Sequence, residues 1–374
     1  MGASLLSDRD KHSTKKTLRL RRAMISLSVL VLFVLTVLVM VSFFAGEGAK
    51  KSSRPPSTVV VISEGVLSQK EAAAESAEAL RQAEQTKATA DEAAAKLAAL
   101  SPELASTSQA LALQAAVDEA RAIGPDSGPT LASVAATDQA LADASAALDQ
   151  KIAGYDALMA EIEQVGSGGR VAVAVLDAAT GAPLVRVNSD EVFTAASTIK
   201  IATATSMMNA VEDGSWGWGS TLNGTTLEYC MEVMIVESDN DCPFAWYSAV
   251  GLGNVEEVVR SAGGTSTTLA PGDLRTTAMD LALLLQSIES GEAMNDENKQ
   301  HLLGLMARQN YRDGIPAGLG ADAVVQDKVG FLDGLLHDAG IIRTEKGDYV
   351  VVVLTEYRSW EAIAKITEAI YEYL

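Results

Sequence analysis

The stretch FTAASTIKIATA, Phe193–Ala204, decides how this chain is read. Within it Ser197 precedes Lys200 by three positions, and on a helix residues i and i+3 share one face. An amine placed there can reach the serine hydroxyl. Serine attacks a carbonyl only with an adjacent base, and a lysine serves when burial or a second cation depresses its pKa. The spacing alone is weak evidence, because Ser13-Thr14-Lys15-Lys16 repeats it in a basic tail where it has no such use.

Two further groups follow in order. Ser238-Asp239-Asn240 falls between the apolar segments YCMEVMIV and CPFAWYSAVG. Lys328-Val329-Gly330 ends VVQDKVG (324–330), which reads as a strand. Working outward, VAVAVLD (171–177) and PLVRVN (183–188), joined by AATGA, form a hairpin signature. Helical segments fill about 197–310. LLHDAGIIR (335–343) and YVVVVLTEY (349–357) read as strands, and a helix over 359–373 closes the chain. Strands at both ends with helices between them predict an α+β domain: one antiparallel sheet, assembled from both ends and flanked by helices.

Upstream the composition changes. Residues 67–166 are rich in Ala, Gln, Glu and Leu and predict three helical runs, about 68–100, 103–123 and 130–164. In the third, Val134, Leu141, Leu148, Tyr155 and Ile162 recur every seven residues, with Ile152 and Met159 alongside. Such a seam wants a partner helix. A helical hairpin or three-helix stalk within the chain, a coiled coil with a second copy, and a partly disordered spacer all remain open. Residues 46–66, with Pro55-Pro56, read as a linker.

Before the linker, Ala23–Ala45 is uncharged throughout. About 20 apolar residues cross a bilayer as a helix. Residues 1–22 carry seven basic and two acidic groups, which predicts a cytoplasmic N-terminus and an exported C-terminal part on a single membrane span. A cleaved signal peptide fits less well, because the apolar run is long and no small-residue cleavage pattern follows it. The net charge of -20 over 374 residues excludes a nucleic-acid partner, since phosphates require a basic face. No H-E-x-x-H or C-x-x-C occurs, so neither metal nor cofactor is implied. Only His301 and His337 lie in the C-terminal part, too little for a Ser–His–Asp triad. His337, on a strand, reads as structural. Asn223-Gly224-Thr225 matches a glycosylation sequon, here a chance match.

S-x-x-K, then S-D-N, then K-x-G, each in its context of helix, loop or strand, resembles the signature of class A β-lactamases and related penicillin-binding proteins. Thr276-Thr277 at a helix start, GIPAG (314–318) and HDAGII (337–342) extend the likeness, which covers about 150–374. The resemblance implies a five-stranded antiparallel sheet with an all-α half, and a helix that enters the first strand beside the last helix. The catalytic domain then starts near residue 148, after a stalk over 67–147, with Tyr155 and Ile162 facing the sheet. It implies Ser197 as the acylated nucleophile, Lys200 as its base and Ser238 as proton donor to the leaving nitrogen. Asn240 and Lys328 would hold the substrate amide and carboxylate, Gly330 would leave room along the strand, and the amides of Ser197 and Phe331 would bind the oxyanion. The partner is a cell-wall peptide or β-lactam. Cys230 and Cys242 flank the S-D-N loop, and an exported domain allows them to form a disulfide.

Three departures qualify that expectation. The stretch SAGGTSTTLAPGDLR (261–275) lacks the glutamate of the deacylating E-x-x-L-N phrase. Val329 replaces a hydroxyl residue that would bond the substrate carboxylate. Ser197 and Ser238 are separated by 41 positions, closer than is usual. Loading of Ser197 is therefore expected and rapid unloading is not. A D,D-peptidase-like acyl-serine hydrolase leads, with a slow β-lactamase and a catalytically weak cell-wall-binding module as alternatives.

Overall fold

The computed structural model describes residues 58–374, with side chains from residue 65 onward. The expected tail (1–22), membrane span (23–45) and first part of the linker lie outside the described residues. Among those described, no helix is long and apolar enough to cross a membrane.

Among the described residues, four α-helices precede the sheet: α1 (Thr58–Ala98), α2 (Pro102–Ala105), α3 (Ser108–Ala122) and α4 (Leu131–Gly166). Ser101, Thr107 and Thr130 cap α2, α3 and α4, their hydroxyls accepting from the amides of Leu104, Ala110 and Ser133. These bonds serve N–H groups that the first helical turn leaves unpaired. One boundary differs from expectation. Helix begins at Thr58, inside the segment read as linker to residue 66. No proline lies between Pro56 and Pro102, so helix propagates upstream from the alanine-rich run at little cost per residue.

Residues 70–374 form one compact unit. Within it α1, α3 and α4 share a small apolar core that includes Ala90, Ala93, Leu113, Val117, Leu141 and Leu148. The seven-residue seam of α4 thus finds its partners inside the chain as far as Leu148. Further along, the helix changes neighbours. Leu158 and Ile162 join the core beneath the sheet, and Tyr155 packs edge-on against Tyr373 with ring centroids 5.7 Å apart. One helix of 36 residues, roughly 54 Å at the usual rise, therefore serves both the helical bundle and the sheet.

The remaining strands are β1 (Arg170–Asp177), β2 (Pro183–Val187), β3 (Phe193–Thr194), β4 (Thr221–Leu222), β5 (Thr225–Thr226), β6 (Thr268–Ala270), β7 (Asp273–Thr276), β8 (Val324–Leu332), β9 (Leu335–Thr344) and β10 (Gly347–Glu356). The main sheet is antiparallel in the order β2-β1-β10-β9-β8, built from both ends of the domain. Side chains alternate between faces. Val171, Val173, Val351 and Val353 face α4 and α11 (Trp360–Tyr373). Ala172, Ala174, Val350 and Val352 face the helical half. That half comprises α5 (Lys200–Glu212), α6 (Leu227–Val236), α7 (Asp241–Val250), α8 (Leu252–Ser261), α9 (Ala278–Ser290) and α10 (Asp296–Met306).

Two hairpins interrupt the segment expected to be helical throughout. β4 and β5 turn at Asn223 and Gly224, both at positive φ, 50° and 75°. β6 and β7 turn at Pro271-Gly272, and β7 pairs with β3, so the hairpin braces the strand that delivers Ser197.

Candidate active site

Ser197 sits in one 3-10 turn, Ala196–Ile199, that runs directly into α5 with Lys200 as its first residue. Thr198 ties the turn back to Ala195 O through its hydroxyl, at 2.6 Å, and its amide, at 3.2 Å. Ala196, immediately before the serine, has φ 47°. A residue with a Cβ resists that conformation by about 1–2 kcal/mol, and such strain is kept where the surroundings impose it. His337 is fully buried and accepts from Thr355 N at 3.1 Å through Nδ1, so its Nε2–H donates to Thr194 O at 2.9 Å. Burial holds its pKa down. It orders β3 beside the sheet.

The S-D-N loop approaches from the other side. Lys200 Nζ donates to Ser238 O at 2.7 Å, Ser238 Oγ at 3.2 Å and Asn240 Oδ1 at 2.8 Å. Lys328 Nζ donates to the same Ser238 Oγ at 3.0 Å and to Val329 O at 2.9 Å. One hydroxyl therefore lies between two amines. Burial lowers Lys200 to about 8. Burial and then the Lys200 charge lower Lys328 to about 7. Among the described residues no hydrogen bond reaches the Ser197 hydroxyl, so it is free to turn toward a substrate.

Ser238 itself has φ 63°. The loop is held by the Cys230–Cys242 disulfide, whose Cα atoms are 5.3 Å apart, and by Asp239 Oδ1, which accepts from Cys242 N at 2.9 Å. The disulfide joins α6 to α7 across the loop, and the Asp239 bond ties the loop to the first turn of α7. The disulfide matches the expected pairing.

The third wall is β8, the edge strand of the sheet. A Cβ added to Gly330 would lie 3.0 Å from Ser197 N and 2.9 Å from Thr198 N. Only glycine lets the strand approach the serine turn this closely. Gln309 and Arg312, which the sequence reading missed, cover part of the edge. Gln309 Oε1 accepts from Val329 N at 3.5 Å, and Arg312 Nη2 donates to Val325 O at 3.1 Å. Both side chains also bind Asp327. Asp327 and Asp338 are fully buried neighbours, and burial pushes both carboxyl pKa values up. No motif marks these four residues; only the fold brings Gln309 and Arg312 onto the strand.

The β6–β7 hairpin occupies the stretch that lacks the glutamate. The carboxylates around it are engaged elsewhere. Glu256 accepts from Leu269 N at 2.9 Å, Asp273 pairs with Arg275 at 2.6 Å, and Asp280 accepts from Ser266 N at 2.9 Å and Thr267 Oγ1 at 2.7 Å. A separate cavity of about 450 Å³, between α5 and α8 and lined in part by Asn209, Trp216, Trp246 and Asn254, includes none of the site residues.

Of the residues named from sequence, Lys200, Ser238, Asn240 and Lys328 are joined by hydrogen bonds, Gly330 abuts Ser197, and Phe331 follows on the same strand. Residues 156–225 and 219–374 match the model of the "Beta-lactamase enzyme family". Several solved structures are similar. A β-lactamase from Sphaerobacter thermophilus is 25% identical, with a TM-score of 0.54 over 58% of this chain and 97% of that one. PBP-A is 25% identical, with a TM-score of 0.53 over 57% and 94%. An ancestral class A β-lactamase is 25% identical, with a TM-score of 0.54 over 59% and 100%. No curated protein sequence matches.

Proposed function

The chain belongs to the β-lactamase enzyme family of serine hydrolases, and from that premise we propose that Ser197 forms an acyl-enzyme with D-Ala-type cell-wall peptides or β-lactams and releases the product slowly. The observation that carries this reading is the single hydroxyl of Ser238 between Lys200 and Lys328, beside a serine turn pressed against Gly330.

With a pKa near 8, roughly a tenth of Lys200 is neutral at pH 7. In that form it takes the Ser197 proton as Oγ attacks the carbonyl carbon. The proton passes through Ser238 to the leaving nitrogen as the C–N bond breaks. Lys328 donates to Ser238 Oγ and holds that hydroxyl in place. The amides of Ser197 and Phe331 receive the oxyanion. Support for Phe331 comes from strand alternation: Val329 N–H points off the free edge toward Gln309, and two residues on, an antiparallel strand repeats that direction. Each oxyanion donor typically contributes about 3 kcal/mol. Asn240 remains exposed enough to hold a substrate amide as well as Lys200.

Unloading needs an activated water. The carboxylates of the β6–β7 region are held in structural bonds, which favours the D,D-peptidase-like reading over a rapid β-lactamase. The shared hydroxyl and paired amines count against a binding module without chemistry. We further propose residues 148–374 as the catalytic domain and 67–147 as a stalk. We place the domain outside the cell membrane, anchored through residues 23–45. The disulfide supports that side, because such bonds persist in oxidising compartments. Incubation of the full chain with penicillin G, followed by intact mass and peptide mapping, tests the reading. A single penicilloyl adduct on Ser197, absent from Ser197→Ala, is expected; its absence from the unmutated chain rejects it.

A further inference from the structure

The two amides proposed for the oxyanion belong to different sheets. Ser197 follows β3, which pairs with β7 of the three-stranded sheet, and Phe331 lies on β8 of the main sheet. Both amides must meet one oxygen atom, each at about 2.7–3.1 Å, so their spacing depends on how the two sheets are joined beside the serine. The ladder of β3 faces β7, through Phe193 opposite Thr276 and Thr194 opposite Arg275. It makes no pair with the main sheet.

His337 spans that gap. It stands opposite Gly330 in the β8–β9 ladder, so its ring lies on the face that Gly330 turns toward Ser197 and Thr198. Its Nε2–H donates to Thr194 O at 2.9 Å, and the Phe193 ring stands edge-on at 5.9 Å. Among the described residues, this is the one hydrogen bond between the main sheet and residues 193–199. The chain from Thr194 to Ser197 has little slack. Ala195 N donates to Leu274 O at 2.8 Å, Ala196 is held at φ 47°, and Thr198 ties back to Ala195 O. A displacement of Thr194 therefore carries to the Ser197 amide. The direction of the ring is set from behind. Thr355 N–H donates to Nδ1 at 3.1 Å, so Nδ1 bears no proton and Nε2 does. Burial keeps the ring neutral.

We propose that His337 is a positioning residue for acylation: by tying Thr194 O to the main sheet it sets the spacing between the Ser197 and Phe331 amides. Its own atoms touch no substrate. The role rests on Ser197 being acylated, and deepens that reading. The spacing counts once the carbonyl oxygen becomes negative. Loss of the tether therefore lowers the saturating rate of acylation and leaves the first, noncovalent binding of penicillin nearly unchanged.

Two substitutions separate the two bonds of the ring. Glutamine puts an amide N–H where Nε2 stands, so His337→Gln keeps the bond to Thr194 O and gives up the one from Thr355 N. Asparagine puts a carbonyl oxygen where Nδ1 stands, so His337→Asn keeps the bond from Thr355 N and does not reach Thr194 O. Each variant loses one buried hydrogen bond, and their denaturation midpoints should be similar. Their acylation should differ. Stopped-flow rates over a range of penicillin G concentrations give the saturating rate and the half-saturating concentration.

His337→Asn is expected to lose about tenfold or more in the saturating rate, with half-saturation within about twofold. His337→Gln is expected to keep the rate within about threefold. Equal rate losses in the two variants overturn the proposal. So does a loss in His337→Asn that lies in half-saturation alone. A second measurement needs no variant. The chain has three histidines, and NMR of the full chain with 15N-labelled histidine reads the tautomer of each ring. A neutral Nε2–H ring is expected for His337, and an Nδ1–H or doubly protonated ring at neutral pH overturns the proposal. An unmutated chain with that Nε2–H ring and no Ser197-dependent acylation rejects the acyl-enzyme reading itself.

Discussion

Gly330 stands against Ser197 so closely that a Cβ would lie 3.0 Å from the serine amide. The atoms it would meet are backbone and cannot swing away. Gly330→Ala must either bend β8 outward or shift the serine turn, and either change separates the two amides proposed for the oxyanion. Acylation by penicillin is expected to fall at least about 100-fold, with a stability loss of about 1–3 kcal/mol. A Gly330→Ala protein that acylates at the unmutated rate shows that this contact does not set the oxyanion geometry.

The two amines predict a pH dependence. Lys200 acts as base only when neutral, and burial lowers its pKa to about 8. The acylation rate with an uncharged ester should therefore climb with pH, roughly tenfold per unit well below 8, and level off above it. Because Lys200 and Lys328 share Ser238, the limb belongs to the pair. Stopped-flow rates from pH 6 to 9.5 check this, and a flat profile removes Lys200 from the base role. Stability carries the same sign. Both lysines titrate in the folded chain below their ordinary 10.5, so between about 7 and 10.5 the unfolded chain binds more protons and this contribution to stability rises with pH.

Ser238 gives a separate test of strain. At φ 63° a residue with a Cβ pays a conformational cost that glycine avoids. Ser238→Gly and Ser238→Ala both lose the hydroxyl between the amines, so both should be poorly active. Their stabilities should differ, with glycine higher by about 1 kcal/mol. Chemical denaturation of the two variants measures the difference, and an alanine variant at least as stable as the glycine one refutes the strain.

Much of this was legible in the sequence, for identifiable reasons. The sheet could be read because β1 and β10 are buried on both faces and write themselves as unbroken apolar runs. The site could be read because Ser197 and Lys200 are local on one helix start, and because Ser238 and Lys328 each sit in a short motif. The β4–β5 hairpin was missed although Asn223-Gly224 is a strong turn signal; strands of two residues leave no alternation to read. The β6–β7 hairpin looked like loop because its pairing with β3 is long-range. Gln309 and Arg312 carried no signal, since their contacts exist only where the chain after α10 crosses the edge of β8. The heptad seam of α4 was ambiguous because one period serves two partners, the stalk helices as far as Leu148 and the sheet from Leu158 onward.

The account stands on Ser197 loading well and unloading slowly. The direct measurement is the lifetime of its adduct: label the full chain with a fluorescent penicillin, remove the excess, and follow protein-bound fluorescence, with Ser197→Ala in parallel. The account predicts one Ser197-dependent adduct that persists for many minutes, because no carboxylate of the β6–β7 region is free to activate water. Decay within seconds, with steady turnover of the penicillin, would contradict it and require a base that these residues do not supply.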